Sequence, residues 1–144
     1  MATTTATLTV SSDIASSALS LSKTKILKKA GTDTDFAYTT GLVRLTTATG
    51  SNTILLNSAE ATANYGAASG GSNLITKGKV YITNLNARGD GSKFVTILLA
   101  DVEIGRLYGG DFMFIPWDGG GGNDLEFTAN DTTSTTIEYC VFYE

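Results

Sequence analysis

The chain has 144 residues, 42% of them hydrophobic and only 17% charged, with no histidine, one cysteine and a net charge of −4. Without histidine it lacks the commonest general base and metal ligand, and the lone Cys140 has no intrachain disulfide partner. The acidic balance argues against a general nucleic-acid binder, and the length suits about one domain.

Residues 1–22 are a low-complexity run of Ala, Ser and Thr with scattered Leu, Ile and Val. Within it Thr7-Leu8-Thr9-Val10 and Ala18-Leu19-Ser20-Leu21 alternate like short strands. They bury too little alone to fold, so the segment is expected to be an extended arm that orders only against a partner or a sister subunit. A frayed terminus is the alternative. No signal peptide is read at the start. Lys23, Lys25, Lys28 and Lys29 follow, and residues 1–30 hold these four cations against one acid, Asp13. The remainder holds six basic and thirteen acidic residues. Lys23 to Gly31 reads as an edge strand or a brief helical turn, with the lysines protecting the edge or meeting an acidic protein surface. Four lysines with no interleaved aromatic make a weak nucleic-acid signal.

The arm is assigned to residues 1–35 and a globular body to 36–144, starting near Phe36. Leu42–Thr47 and Thr53–Asn57 read as strands around the turn Gly50-Ser51-Asn52. Ser58–Gly78 is a long Ala-, Ser-, Gly- and Asn-rich loop. Lys79–Leu85 alternates clearly, and Arg88-Gly-Asp-Gly-Ser turns into a strand from Phe94. Val102–Tyr108 and Phe112–Trp117 are separated by Gly109-Gly110. Asp118–Asp124 is a glycine loop before Leu125–Ala129, and Asn130–Ser134 is the last turn before Thr136–Tyr143. The richness in β-branched Thr and the turn spacing of about 8–12 residues favour an all-β fold of about eight strands. The expected architecture is a jelly-roll-like antiparallel β-sandwich carrying an extended N-terminal arm, with a sandwich or barrel of other topology as alternative. No stretch approaches about 18 apolar residues, so no membrane span is expected.

Candidate sites are few. Arg88-Gly89-Asp90 spells an integrin-recognition tripeptide, but Gly and Asp also make a good turn. Asp118, Asn123 and Asp124 could offer oxygen ligands to calcium, but their spacing is not that of an EF-hand, so a solvated loop is expected. The same glycines lack the Lys-Ser/Thr of a phosphate loop. Asn130-Asp131-Thr132 fits a glycosylation sequon with no visible export signal. Cys140 is expected to be an inert buried thiol with no base beside it. The fourteen carboxylates are spread over turns and solvent faces, so no enzyme activity and no cofactor or metal is expected. Trp117, with Phe112 and Phe114 on the same strand, is expected in the core or a subunit interface. Tyr139 and Tyr143 lie in a terminal strand that is apolar on both faces, and they are expected at that interface too.

The strands Lys79-Val-Tyr-Ile-Thr-Asn, Gly109-Gly-Asp-Phe-Met-Phe-Ile-Pro-Trp and Thr136-Ile-Glu-Tyr-Cys-Val-Phe resemble motifs of small tailed-phage head proteins, the decoration, cement or head-fibre family. The resemblance covers roughly residues 40–144, and the long Ser58–Gly78 loop departs from it. It implies a jelly roll, a homotrimer and attachment to the outer face of a capsid assembled in the host cytoplasm, with the major capsid protein as partner. The expected capsid contacts are then Leu8, Val10, Leu19, Leu21, Lys23, Lys25, Lys28 and Lys29. The alternatives are a carbohydrate-binding adhesin, stacking host glycans on Trp117 and Tyr108 beside the glycine loop, and a tail or fibre component.

Overall fold

A computed structural model describes residues 3–12, 19–28, 31–36, 38–47, 53–56, 78–89, 91–119, 122–130 and 135–143. Of the expected loop Ser58–Gly78 only Gly78 is among these residues, as the start of a strand, and of the expected last turn Asn130–Ser134 only Asn130 is; the turn at 50–52 lies outside them. Among the described residues there are eleven strands and no α-helix. Two compact units divide the chain, Met1–Ala37 and Tyr38–Glu144.

The first unit corrects the expectation of an extended arm. Strand β1 (Thr5–Ser12) pairs antiparallel with β2 (Leu19–Ile26), from Thr5 opposite Ile26 to Ser12 opposite Leu19. The two alternating segments therefore satisfy each other's backbone groups along one edge, which an arm waiting for a partner would leave open. The expected edge strand from Lys23 is the end of β2, and a single bridge between Lys28 and Asp35 follows it. Lys28 Nζ lies 2.8 Å from the Asp35 carboxylate. That hydrogen-bonded carboxylate holds the Lys28 ammonium above its ordinary range.

The second unit is an antiparallel sandwich of two sheets. Its strands are β3 (Tyr38–Thr39), β4 (Val43–Thr47), β5 (Thr53–Leu56), β6 (Gly78–Asn84), β7 (Phe94–Leu99), β8 (Val102–Tyr108), β9 (Phe112–Trp117), β10 (Leu125–Ala129) and β11 (Thr135–Tyr143). One sheet runs β3-β11-β6-β9, with β4 also on β11, and the other runs β5-β10-β7-β8. The expected eight strands become eleven because β1, β2 and the two-residue β3 are added. Along β6, β7 and β11 alternate residues point inward. Val80, Ile82, Ile137 and Val141 from the first sheet join Val95, Ile97, Leu125 and Phe127 from the second in one core cluster. Each such side chain contributes about 1.5–3 kcal/mol on full burial, so this cluster dominates the stability of the unit.

One turn carries no sequence signal. β7 passes into β8 through Ala100 and Asp101, both with positive φ (49° and 64°). Two successive left-handed residues match the right-handed twist of a two-residue hairpin. Glycine or asparagine would be the usual occupants, so the Ala-Asp pair hides the turn. Eight residues later the chain turns again, at Gly109-Gly110, as expected.

Candidate interaction surfaces

The three motif strands converge on one corner of the sandwich. Asn84, the last residue of β6, is wholly buried. Its Nδ2 donates to the Leu107 carbonyl (3.0 Å) and its Oδ1 accepts from the Asn86 N–H (3.0 Å). Its backbone N–H donates to the Asp111 carbonyl, and its carbonyl accepts from the Gly110 N–H. Thr83 Oγ1 donates to that same Asp111 carbonyl (3.1 Å). The Asp111 carboxylate accepts from the Tyr108 N–H (3.1 Å), closing the turn between β8 and β9. From β11, the Thr136 carbonyl accepts from the Leu85 N–H. These motif residues are structural: they fix the direction in which β9 leaves the turn.

Arg88 belongs to the same corner. Its Nη2 donates to the Gly110 carbonyl (2.8 Å). The guanidinium of the Arg-Gly-Asp sequence is thus occupied as a turn clamp, while Asp90 lies outside the described residues. Gly109 is required here, because a Cβ would come within 2.2 Å of the Ala87 carbonyl oxygen.

β9 is an edge strand whose two faces differ. Met113, Ile115 and Trp117 turn to the core. Phe112 and Phe114 turn outward and are 58% and 38% exposed. On the neighbouring strand β6, Tyr81 stands opposite Phe114, and its ring lies 6.3 Å from that of Phe112. Pro116 pairs with Lys79, and Cys140 and Phe142 of β11 stand opposite Tyr81 and Lys79. An Arg44–Glu138 ion pair (2.9 Å) borders this outer face. The result is an aromatic strip with a charged rim, the composition of a protein-binding patch.

Of the five residues expected at a subunit interface, the fold leaves only Phe112 and Phe114 accessible. Trp117 is 3% exposed, and Tyr139 and Tyr143 are equally buried within the single chain. Trp117 Nε1 donates to the Asn123 carbonyl (2.9 Å), which anchors the glycine loop instead of presenting an indole to a ligand. The terminal strand is apolar on both faces because it is central, flanked by β3 and β4 on one side and β6 on the other. Tyr81, which sequence reasoning passed over, joins the strip. Its signal was present in the outward middle position of Val80-Tyr81-Ile82.

On the other sheet, Tyr108 packs on Phe94 (5.2 Å between rings), and the Arg106 guanidinium covers the Phe94 ring at 4.9 Å. Glu103 pairs with Arg106 (2.9 Å) and raises the guanidinium pKa. Two other candidates are engaged in structure. Asn130 Nδ2 donates to the Ser92 carbonyl (3.3 Å), and Cys140 Sγ contacts Thr39 Oγ1 (3.3 Å).

The hairpin forms the second surface. Register sorts its residues cleanly. Thr5, Thr7 and Thr9 stand opposite Ile26, Thr24 and Ser22 on one face, where Thr7 and Thr24 hydroxyls bond at 3.1 Å. Ala6, Leu8 and Val10 stand opposite Lys25, Lys23 and Leu21 on the other. Five of the expected contact residues (Leu8, Val10, Leu21, Lys23 and Lys25) are thereby gathered on one exposed apolar and basic face. Leu19 pairs with Ser12 at the end of the ladder. Lys28 departs from the expectation, since its ammonium is engaged by Asp35, and Lys29 lies outside the described residues. No protein-family model matches this chain, and comparison with curated proteins finds no match.

Proposed function

We propose that this chain is a structural virion protein that docks on the outer surface of a tailed-phage capsid and stabilises the assembled shell. The observation that carries the reading is the hairpin face, where Leu8, Val10, Leu21, Lys23 and Lys25 are collected and left open. A two-stranded sheet is marginal in water, so such a face gains from a protein surface that covers it. The lysines suit an acidic coat surface. They mainly raise the association rate, because exposed ion pairs contribute only about 0–1 kcal/mol each. The apolar residues would set the residence time.

The resemblance of the body strands to decoration proteins supports the same reading. So does the strand order. Counted from β4, the eight longer body strands run first-eighth-third-sixth in one sheet and second-seventh-fourth-fifth in the other. That winding is the one expected of a jelly roll. The aromatic strip of Phe112, Phe114 and Tyr81 is the surface proposed to join subunits in a homotrimer. Binding that favours only the assembled shell lowers its free energy by about 4 kcal/mol per site at 1,000 Kd, and this role calls for no catalysis. The adhesin reading is weaker because its principal stacking residue, Trp117, is in the core.

The test is to mix the full chain with empty expanded shells of the phage that encodes it, sediment the shells and image them. Saturable decoration of the outer surface is expected, with slower association for Lys23→Ser/Lys25→Ser at low salt. Absence of co-sedimentation at about 10 μM protein, well above a useful decoration affinity, would overturn the proposal.

A further inference from the structure

An open strand edge is a template for pairing, and the edge strands described in the body each carry a protecting feature. β9 carries Pro116. β8 is bulged: Ile97 pairs with Gly105 and Leu98 with Glu103, which leaves Ile104 unpaired. β3 is two residues long, β4 bears Arg44, and β5 is four residues long. In the hairpin, the outer edge of β2 is guarded by Lys23 and Lys25. β1 has none of these devices. Over eight residues, Thr-Ala-Thr-Leu-Thr-Val-Ser-Ser, it has no charge, proline, glycine or bulge.

The backbone phase of that edge follows from one hydrogen bond. The Leu27 N–H donates to the Thr4 carbonyl (2.8 Å), and these residues are opposite each other in the ladder. Hydrogen-bonded and non-bonded pairs alternate in an antiparallel ladder. Ala6, Leu8 and Val10 therefore direct their backbone groups toward β2. Thr5, Thr7, Thr9 and Ser11 direct theirs to the other edge, which no strand among the described residues pairs.

We infer that the β1 edge pairs with β1 of a second copy, antiparallel about a two-fold axis at Leu8. Outward-directed residues must meet outward-directed residues, so odd positions face odd positions. The register that pairs all four outward residues within β1 sets Thr7 opposite Thr9 and Thr5 opposite Ser11 of the second copy. It also sets Ala6 opposite Val10 and Leu8 opposite Leu8. Hydroxyl meets hydroxyl on one face and apolar meets apolar on the other, because the face alternation of β1 is symmetric about Leu8.

Charge selects this occupant and this edge. Pairing through β1 keeps the two β2 strands three spacings apart, about 14 Å, which is beyond the screening length of about 8 Å at physiological salt. Pairing through β2 would bring the lysines of the two copies together across one spacing of about 4.8 Å. The product is a four-stranded sheet with a doubled apolar and basic face, and three or more strands are what a hairpin lacks for stability. A two-fold contact joins copies in pairs, so it would link neighbouring assemblies if the body is trimeric. The inference does not depend on the capsid reading, since it is measured with no shell present.

The experiment uses single cysteines in the full chain under mild oxidation. Leu8→Cys should give a disulfide-linked dimer, because Leu8 meets its own copy as a non-bonded pair with Cβ atoms about 4.5–5.5 Å apart. Val10→Cys should not, because it meets Ala6 and lies about 13 Å along the strand from its own counterpart. The wild type, with Cys140 buried, is the blank. In sedimentation equilibrium Thr7→Pro, which removes an outward N–H, should weaken self-association at least tenfold. Thr7→Val, which loses only the hydroxyl, should leave it within about twofold. Equal cross-linking at positions 8 and 10, no cross-linking at position 8, or identical association of Thr7→Pro and wild type would overturn the inference.

Discussion

Replacing Asn84 by alanine tests whether the motif corner holds the sandwich together. The side chain is fully buried and makes two 3.0 Å hydrogen bonds, to the Leu107 carbonyl and from the Asn86 N–H. Each bond contributes about 0.5–1.5 kcal/mol net, and a buried group left without a partner costs about 1–3 kcal/mol. Part of that cost is relieved by relaxation of the Asn86 turn, which is partly exposed. The expected loss is about 3 kcal/mol, or a fall in Tm of roughly 12–24 °C for a body of this size. Guanidinium and thermal unfolding of the full chain, followed by far-ultraviolet circular dichroism, would measure it. Thr83→Ala, which removes one partly buried hydrogen bond, is the internal scale at about 1 kcal/mol. A loss below about 1 kcal/mol for Asn84→Ala would show that the amide does not hold the corner. The motif strands would then need another account.

Among the glycines whose surroundings are described, Gly109→Ala should be the most damaging methyl addition, costing at least about 3 kcal/mol, because its Cβ meets the backbone of Ala87 and Asn86 and not a movable side chain; soluble yield and Tm read it. Phe112→Ser with Phe114→Ser should change Tm by little while weakening self-association, whereas Trp117→Ala should cost about 3–5 kcal/mol, and a thermal melt beside sedimentation separates the two outcomes. The Lys28–Asp35 clip should persist through neutral pH. Because the folded lysine pKa is raised, its contribution is fully present below the ordinary value of 10.5 and is lost only as pH rises through the higher folded value. Amide exchange of the first unit between pH 9 and 11 would be unaffected by Lys28→Gln if that pairing were absent.

Much of the fold was legible because a strand announces itself locally. Val80-Tyr81-Ile82 and Phe112 to Trp117 alternate, β-branched residues fill the strands, and glycine marks the turn at Gly109-Gly110. The Ala100-Asp101 turn was not legible, since its positive φ angles are imposed by the paired strands on residues that do not advertise them. The candidate surface was half legible. Phe112 and Phe114 could be named from their strand, but period-two alternation gives a strand two faces without saying which one another sheet will cover. Hence Tyr139 and Tyr143 are expected at an interface although the fold buries them within the single chain, and of the two places open to Trp117, core or interface, the fold decides for the core.

Composition and local spacing suffice to read an all-β protein with a basic, Thr-rich leading segment and an acidic body. Those properties follow from side-chain shape, charge and nearest-neighbour spacing. Tertiary structure alone decided that β1 pairs with β2, that β11 receives β4 from some 90 residues away, and that Asn84 is buried as a hub. Pairing is chosen by which faces can be buried together, and that choice is made among strands distant in the chain. No local pattern records it.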